Sequence, residues 1–371
     1  MKEEKTGYFK SIDGLRLFAS VSVVLYHYER MGGFNDLGGA PALFFRILKG
    51  PAFHASLFFM LAGFIFNIKY APHVKQFSSK VFLKSRFRQL YPLHLITTLA
   101  MAPFMIFDNG LSISKMAFSL FMHLSLLWPV FPFYSYTMNQ PSWALAAFFY
   151  CYLLFKPMLQ FVNGIEKRRM VLLCLGVPVS VTILWSLLFA WVGYKNDLYV
   201  FFHVFPLMRI FEFMAGMLVS RLFIIRTDKE RHPIFRSGWY NDAVIIGTLF
   251  LIYASIALRS GAEDIQLWFS YHFMLPVLFM ILLYRFARGN GFLSMLMAFP
   301  IVRNLGKSSF YPYLLHIPLI AWISFFLNKY FGYNQFLHSP TNVIAFVSGM
   351  YLVSMLYTVY FRKRPVSKFK K

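Results

Sequence analysis

Apolar residues in this chain gather into windows of about 20, the helix length that crosses the roughly 30 Å hydrocarbon core of a bilayer. Eleven such windows lie at about 11–30, 51–70, 89–108, 113–132, 141–162, 170–193, 205–225, 241–259, 267–287, 309–328 and 341–361. Basic residues cluster between them, at 69–88, 156–169, 226–239 and 285–307 and in the tail 362–371. Cytoplasmic connections carry the excess of Lys and Arg, so neighbouring basic connections should enclose an even number of crossings. Every interval obeys this except 69–88 to 156–169, which holds three windows. The weakest of the three is 113–132, which contains Lys115, His123 and Pro129 and leads into the uncharged FPFYSYTMNQPSW. It is expected to be re-entrant or interfacial, and misplacement of a short neighbouring window is the alternative. The expected fold class is therefore all-α, a polytopic membrane protein of about ten transmembrane helices in one bundle. Residues 1–371 form one integral membrane domain, with both termini cytoplasmic.

Composition sharpens this picture. Of 371 residues, 58% are hydrophobic, 20% aromatic and only 14% charged, which excludes a soluble fold. Thirty-seven Lys and Arg against 14 Asp and Glu give +23, a balance that in a soluble protein suggests nucleic acid. Here the basic residues sit at window ends, so orientation in a lipid bilayer accounts for them and no nucleic-acid partner is expected. Cys151 and Cys174 lie in apolar stretches and match no zinc or redox spacing. The N-terminal MKEEKTGYFK has charges of both signs and the first window has no small-residue cleavage site, so that window is expected to be retained. The Gly-rich 32–41 stretch lacks phosphate-loop spacing and reads as an external loop. No metal-ligand pair, P-loop or serine-nucleophile motif appears.

The first window, SIDGLRLFASVSVVLYHYER, carries the most chemistry. Arg16 and His27 are eleven residues apart, three helical turns plus about 20°, so they share a face at roughly 16 Å separation. Ionisable groups at bilayer depth usually face a bundle interior or a wet cavity; snorkelling to opposite interfaces is the structural alternative. Asp13, one turn before Arg16, either orients it or makes a helix-start ion pair. Glu212 lies in the apolar RIFEFMAGM one turn from Arg209, so a structural pair stands beside a functional role. His54, His94 and His272 have no evident partner.

The chain resembles the membrane acyltransferase-3 family. Six segments carry the resemblance in order: Arg16 and His27 as R-x10-H, FFMLAGF at 58–64, RFRQLYP at 86–92, NQPSWAL at 139–145, RIFEFMAGM at 209–217 and LGKSSFYPYLLHIP at 305–318. The resemblance implies transfer of an acyl group, usually acetyl, from cytoplasmic acyl-coenzyme A to a hydroxyl of an extracytoplasmic glycan or glycolipid, with no other cofactor. It also implies a multi-pass protein of the inner or plasma membrane. A neutral imidazole can accept a hydroxyl proton near physiological pH, which suits His27 as general base beside Arg16 and Glu212 as further catalytic residues. Forked guanidiniums suit phosphates, so Arg86, Arg88 and Gln89 are donor-binding candidates, with ordinary positive-inside anchoring as the alternative. Asn139, Trp143, Tyr313 and His316 are acceptor-binding candidates; an aromatic belt explains Trp143 and a satisfied core histidine explains His316 equally well.

Three departures from the family pattern are visible. Its Arg-x-x-Arg reads Arg86-Phe87-Arg88-Gln89 here, its Ser before Gly-Phe is Ala62, and the Glu expected after Trp143 is absent from WALAAFFY. From a different class, a transporter using Arg16, His27 and Glu212 as a proton or substrate relay is the rival reading, although inverted halves with matched broken helices are not evident.

Overall fold

The computed structural model describes residues 10–31, 51–107, 112–131, 138–192, 203–225, 237–257, 274–333, 336 and 339–361. The Gly-rich 32–41 stretch, most of the 132–140 segment, most of the 226–239 connection, His272 and the tail lie outside the described residues, as does the His54 side chain. Every regular element described is helical. In chain order they are α1 (Lys10–Arg30), α2 (Pro51–Tyr70), α3 (Ser79–Phe107), α4 (Ile113–Leu124), α5 (Ser142–Leu153), α6 (Phe155–Gly164) and α7 (Arg168–Val192). There follow α8 (Pro206–Ile224), α9 (Gly238–Ala257), α10 (Leu275–Arg288), α11 (Phe292–Met297), α12 (Pro300–Ser308), α13 (Phe310–Phe331) and α14 (Pro340–Phe361).

Several sequence windows need correction. The window at 89–108 is the second part of a 29-residue helix, so Lys80, Lys84, Arg86 and Arg88 ride on α3 rather than in a loop. The window at 141–162 breaks into α5 and α6, which meet at 59°. The connection at 285–307 holds the short helices α11 and α12. At 113–132 the helix stops at Leu124 and a 3-10 turn follows at Trp128–Val130; α4 has only 12 residues, about 18 Å of rise against a 30 Å core. Five described helices are long and apolar enough to cross a membrane, or six with α5 and α6 as one bent span. Leu184 and Leu187 on α7, Ile246 and Phe250 on α9, and Ile344 and Val353 on α14 all face outward, the surface expected against lipid tails.

Lipid tails are as apolar as the helices, so association depends on close backbone approach at small residues. The most extensive contact, α2 on α8, is built this way. A Cβ placed at Gly63 would collide with the Phe213 carbonyl oxygen, and one placed at Gly216 would collide with that of Met60. Asn67 Nδ2 donates to Ser220 Oγ at 2.7 Å and Asn67 Oδ1 accepts from Asn163 Nδ2 at 2.7 Å, tying α2, α8 and α6 together. The same device seats α1. Gly14 abuts the Met297 carbonyl at the end of α11, and Gly306 on α12 abuts the Asp13 carbonyl.

Above that contact α1 and α13 run parallel. Ser20 Oγ donates to the Ser309 carbonyl at 3.0 Å, and seven residues further along each chain His27 meets His316. Tyr351 on α14 donates to Ser20 Oγ at 2.5 Å and closes the third side.

Replacing Gly216 by Leu is expected to destabilise the folded protein by about 3 kcal/mol or more, since overpacking against backbone cannot relax by rotamer change. Gly176→Leu is the control, because nothing lies within 4 Å of a Cβ there. Thermal unfolding in detergent, followed by tryptophan fluorescence, should show a lowered midpoint for the first variant alone.

Candidate active site

The central feature is a pair of imidazoles. His27, partly exposed on α1, has Nδ1 3.2 Å from Nε2 of His316, which is fully buried on α13. Their ring centroids are 5.0 Å apart. Tyr26 flanks His27 edge-on, and Tyr313, one turn before His316, lies 6.4 Å from it.

Tyr313 also lines a cavity of about 430 Å³ between α1, α2, α3, α5 and the α12–α13 junction. Its charged lining residues are three cations: Arg16, Arg86 and Lys307. Gln89 lies beside them, and Phe58, Ala62, Leu145 and Phe148 make an apolar wall. Asp13 sits between two of these cations, 3.8 Å from Arg16 Nη1 and 3.8 Å from Lys307 Nζ. The Arg86 guanidinium lies 5.3 Å from the Phe66 ring centroid and 5.6 Å from that of Phe82. Its Nε is buried with no hydrogen bond among the described residues. The cavity is thus lined both by three cations and by Tyr313, one turn from His316.

The position of α13 is itself explained by local chemistry. Pro318 lies inside that helix, and proline has no N–H for the carbonyl four residues earlier, here that of Leu314. Asn139 Nδ2 supplies the missing donor at 2.9 Å. Tyr313 Oη donates to the Pro141 carbonyl at 2.9 Å, and Ser142 Oγ donates to that of Asn139 at 2.6 Å. The 139–142 segment therefore clamps the turn that carries Tyr313 and His316.

An acyltransferase-domain family model, that of acyltransferase-3, matches residues 9–359. The chain belongs to the acyltransferase-3 family. The acyltransferase MdmB of Streptomyces mycarofaciens is 30% identical over 175 residues, which covers 46% of this chain and 44% of that protein. The chain thus aligns with less than half the length of this curated relative. No solved structure matches. Family membership accompanies several described helices long and apolar enough to cross a membrane.

Within an acyltransferase-3 chain, the sequence candidates fall into three groups. His27 and His316 meet. Arg16, Arg86, Gln89 and Tyr313 line one cavity. Arg88 is exposed and does not line it. The third group is packed into the bundle away from the cavity. Asn139 is fully buried in the α13 clamp, and Trp143 is 5% exposed. It stacks on Phe59 at 6.2 Å, with the Arg209 guanidinium 5.7 Å from its centroid. Glu212 accepts from Arg209 Nη1 at 2.7 Å and from Ser56 Oγ at 2.6 Å; those bonds make it half of a buried ion pair. Lys307 was not picked out from the sequence, where it reads as one more basic connection residue; its place in GKSSF, inside the family-like segment, was the available signal.

The clamp predicts a coupled effect. Asn139→Leu should cost about 1–3 kcal/mol, the penalty of leaving a buried carbonyl unpaired. Adding Pro318→Ala returns a helical N–H to Leu314, so the double variant should lose less than the sum of the two single changes. Additive losses in thermal unfolding would refute the pairing.

Proposed function

We propose that this acyltransferase moves an acyl group from cytoplasmic acyl-coenzyme A to a hydroxyl of an extracytoplasmic glycan or glycolipid, with His27 as general base. The supporting observation is the cavity that joins three cations to the residue beside the imidazole pair. Arg16 and His27 are about 16 Å apart along α1. Thirteen bonds link the diphosphate of coenzyme A to its sulfur, a little over four residues' worth of extended chain or roughly 15 Å. A donor held by its phosphates at Arg16, Arg86 and Lys307 therefore brings its thioester to His27. The acceptor oxygen attacks the thioester carbonyl carbon while His27 removes its proton; collapse of the tetrahedral intermediate breaks the carbon–sulfur bond, and the imidazolium protonates the departing thiolate.

The parallel run of α1 and α13 bears on sidedness. Parallel helices that both cross a bilayer are separated by an odd number of crossings. Eight apolar windows lie between them in the sequence, so one that does not cross restores the parity, and α4 is the short one. Parity supports the reading of ten crossings with both termini on one side; with the basic connections in the cytoplasm, that reading puts the cation cluster on the donor side and His27 toward the acceptor side.

Kinetics of purified protein, with radiolabelled acetyl-coenzyme A and total glycolipid extracted from the native membrane, test the chemistry. His27→Ala should lower kcat by 10²- to 10⁴-fold. Arg86→Ala should raise the donor KM by about tenfold or more through a lost charged contact, whereas Arg88→Ala should leave it near wild type. Equal effects of Arg86→Ala on donor and acceptor KM would argue against a donor-side role.

Topology has a separate test. In a variant lacking Cys151 and Cys174, single cysteines at Lys75 and Lys167 should stay unlabelled by an impermeant thiol reagent on intact cells, while one at Tyr333 reacts. Opposite sidedness of positions 75 and 167 would overturn the ten-crossing arrangement.

A further inference from the structure

The contact between His27 and His316 fixes more than their positions. Each ring turns Nδ1 toward the carbonyl four residues earlier in its own helix, His27 to Val23 at 3.0 Å and His316 to Pro312 at 3.1 Å. A carbonyl oxygen only accepts, so both Nδ1 atoms carry protons, and a neutral ring of that kind keeps its lone pair on Nε2. His316 Nε2 is 3.2 Å from His27 Nδ1. The His27 N–H is then shared between the Val23 carbonyl and the His316 lone pair in a three-centre bond. The directions are self-consistent: no nitrogen in the pair faces a group of its own kind.

We propose that His316 is a positioning residue for His27. By accepting from Nδ1–H it holds His27 in the tautomer whose Nε2 lone pair faces the reaction, and it stabilises the imidazolium formed there. This rests on the reading of His27 as the base. In serine hydrolases a buried carboxylate has that task; a neutral imidazole performs it with no desolvated anion at bilayer depth. Glu212, the acid of α8, is committed to Arg209 and Ser56.

The proton count closes. The acceptor's O–H bond breaks and its proton goes to His27 Nε2, while Nδ1–H stays bonded to His316 and no proton moves onto the buried ring. When the thiolate leaves, Nε2–H gives that proton to sulfur and the pair returns to its starting state.

Two experiments test this on the full chain. In the same donor and glycolipid assay, His316→Leu should lower kcat by about 10²-fold or more, within the range by which a positioned base contributes, with the donor KM nearly unchanged. His316→Gln, which offers an accepting oxygen but cannot be protonated, should recover at least a tenfold share of that loss. A kcat for His316→Leu close to wild type, or a Gln variant no better than Leu, overturns the proposal. Should the Leu variant fail to fold, nitrogen NMR of wild-type protein labelled with 15N-histidine decides, with His27 assigned by the signal lost in His27→Asn. A protonated, pyrrole-type Nδ1 on His27 is expected, and a pyridine-type Nδ1 overturns the proposal. Absence of acyl transfer by the wild type would instead sink the functional reading, and the NMR result would still judge the tautomer.

Discussion

Everything at the candidate site depends on backbones touching where a side chain would separate them. In a bilayer no hydrophobic gain remains for bringing two apolar helices together, so shape and dispersion must do it. Gly63 and Gly216 let α2 and α8 close on each other, and Gly14 and Gly306 let α1 close on α11 and α12. The first crossing carries one wall of the cavity, through Ala62 and its neighbours. The second sets the height of α13 against α1, and with it the meeting of the imidazoles. A side chain at Gly306 would lift the α12–α13 junction away from Asp13, Ser20 and His27 together.

Several polar groups inside the bundle are paired within the protein. Arg209 and Glu212 neutralise each other one turn apart, Asn67 bonds to both Asn163 and Ser220, and the carbonyl released by Pro318 is answered by Asn139. Such pairings lower the cost of burying polarity in a low-dielectric interior. Arg86 lies with its guanidinium against aromatic rings at the cavity, and its buried Nε, like that of Arg209, has no hydrogen bond among the described residues.

Much of this was legible in the sequence, and the remainder was hidden for identifiable reasons. The apolar windows and the shared face of Arg16 and His27 follow from helical pitch and bilayer thickness, and the weakness of 113–132 from the parity of the basic connections and its Lys115, His123 and Pro129. The placement of Arg86 and Gln89 in one cavity needed only a helix through 86–92, yet the break between α5 and α6 was concealed by continuous hydrophobicity. Asn139 and Trp143 illustrate the opposite difficulty. An amide and an indole at a window end read as ligand contacts, because sequence carries no sign that Leu314 lacks a donor or that Arg209 lies over the indole. His316 could be seen as a buried histidine but not as the partner of His27, since 289 residues separate them.

The wall of Ala62, Leu145 and Phe148 has a consequence for how a donor is measured. It offers neither the hydroxyl nor the carboxylate that the family pattern places nearby, so a flexible arm lying along it finds nothing polar to stop on. Under the proposed reaction the charged end of the donor would halt at the cations. The cavity would then serve as a depth gauge: the molecule would enter tail first, its phosphates acting as a collar, and the length of the arm beyond the collar would decide which bond reaches the imidazole.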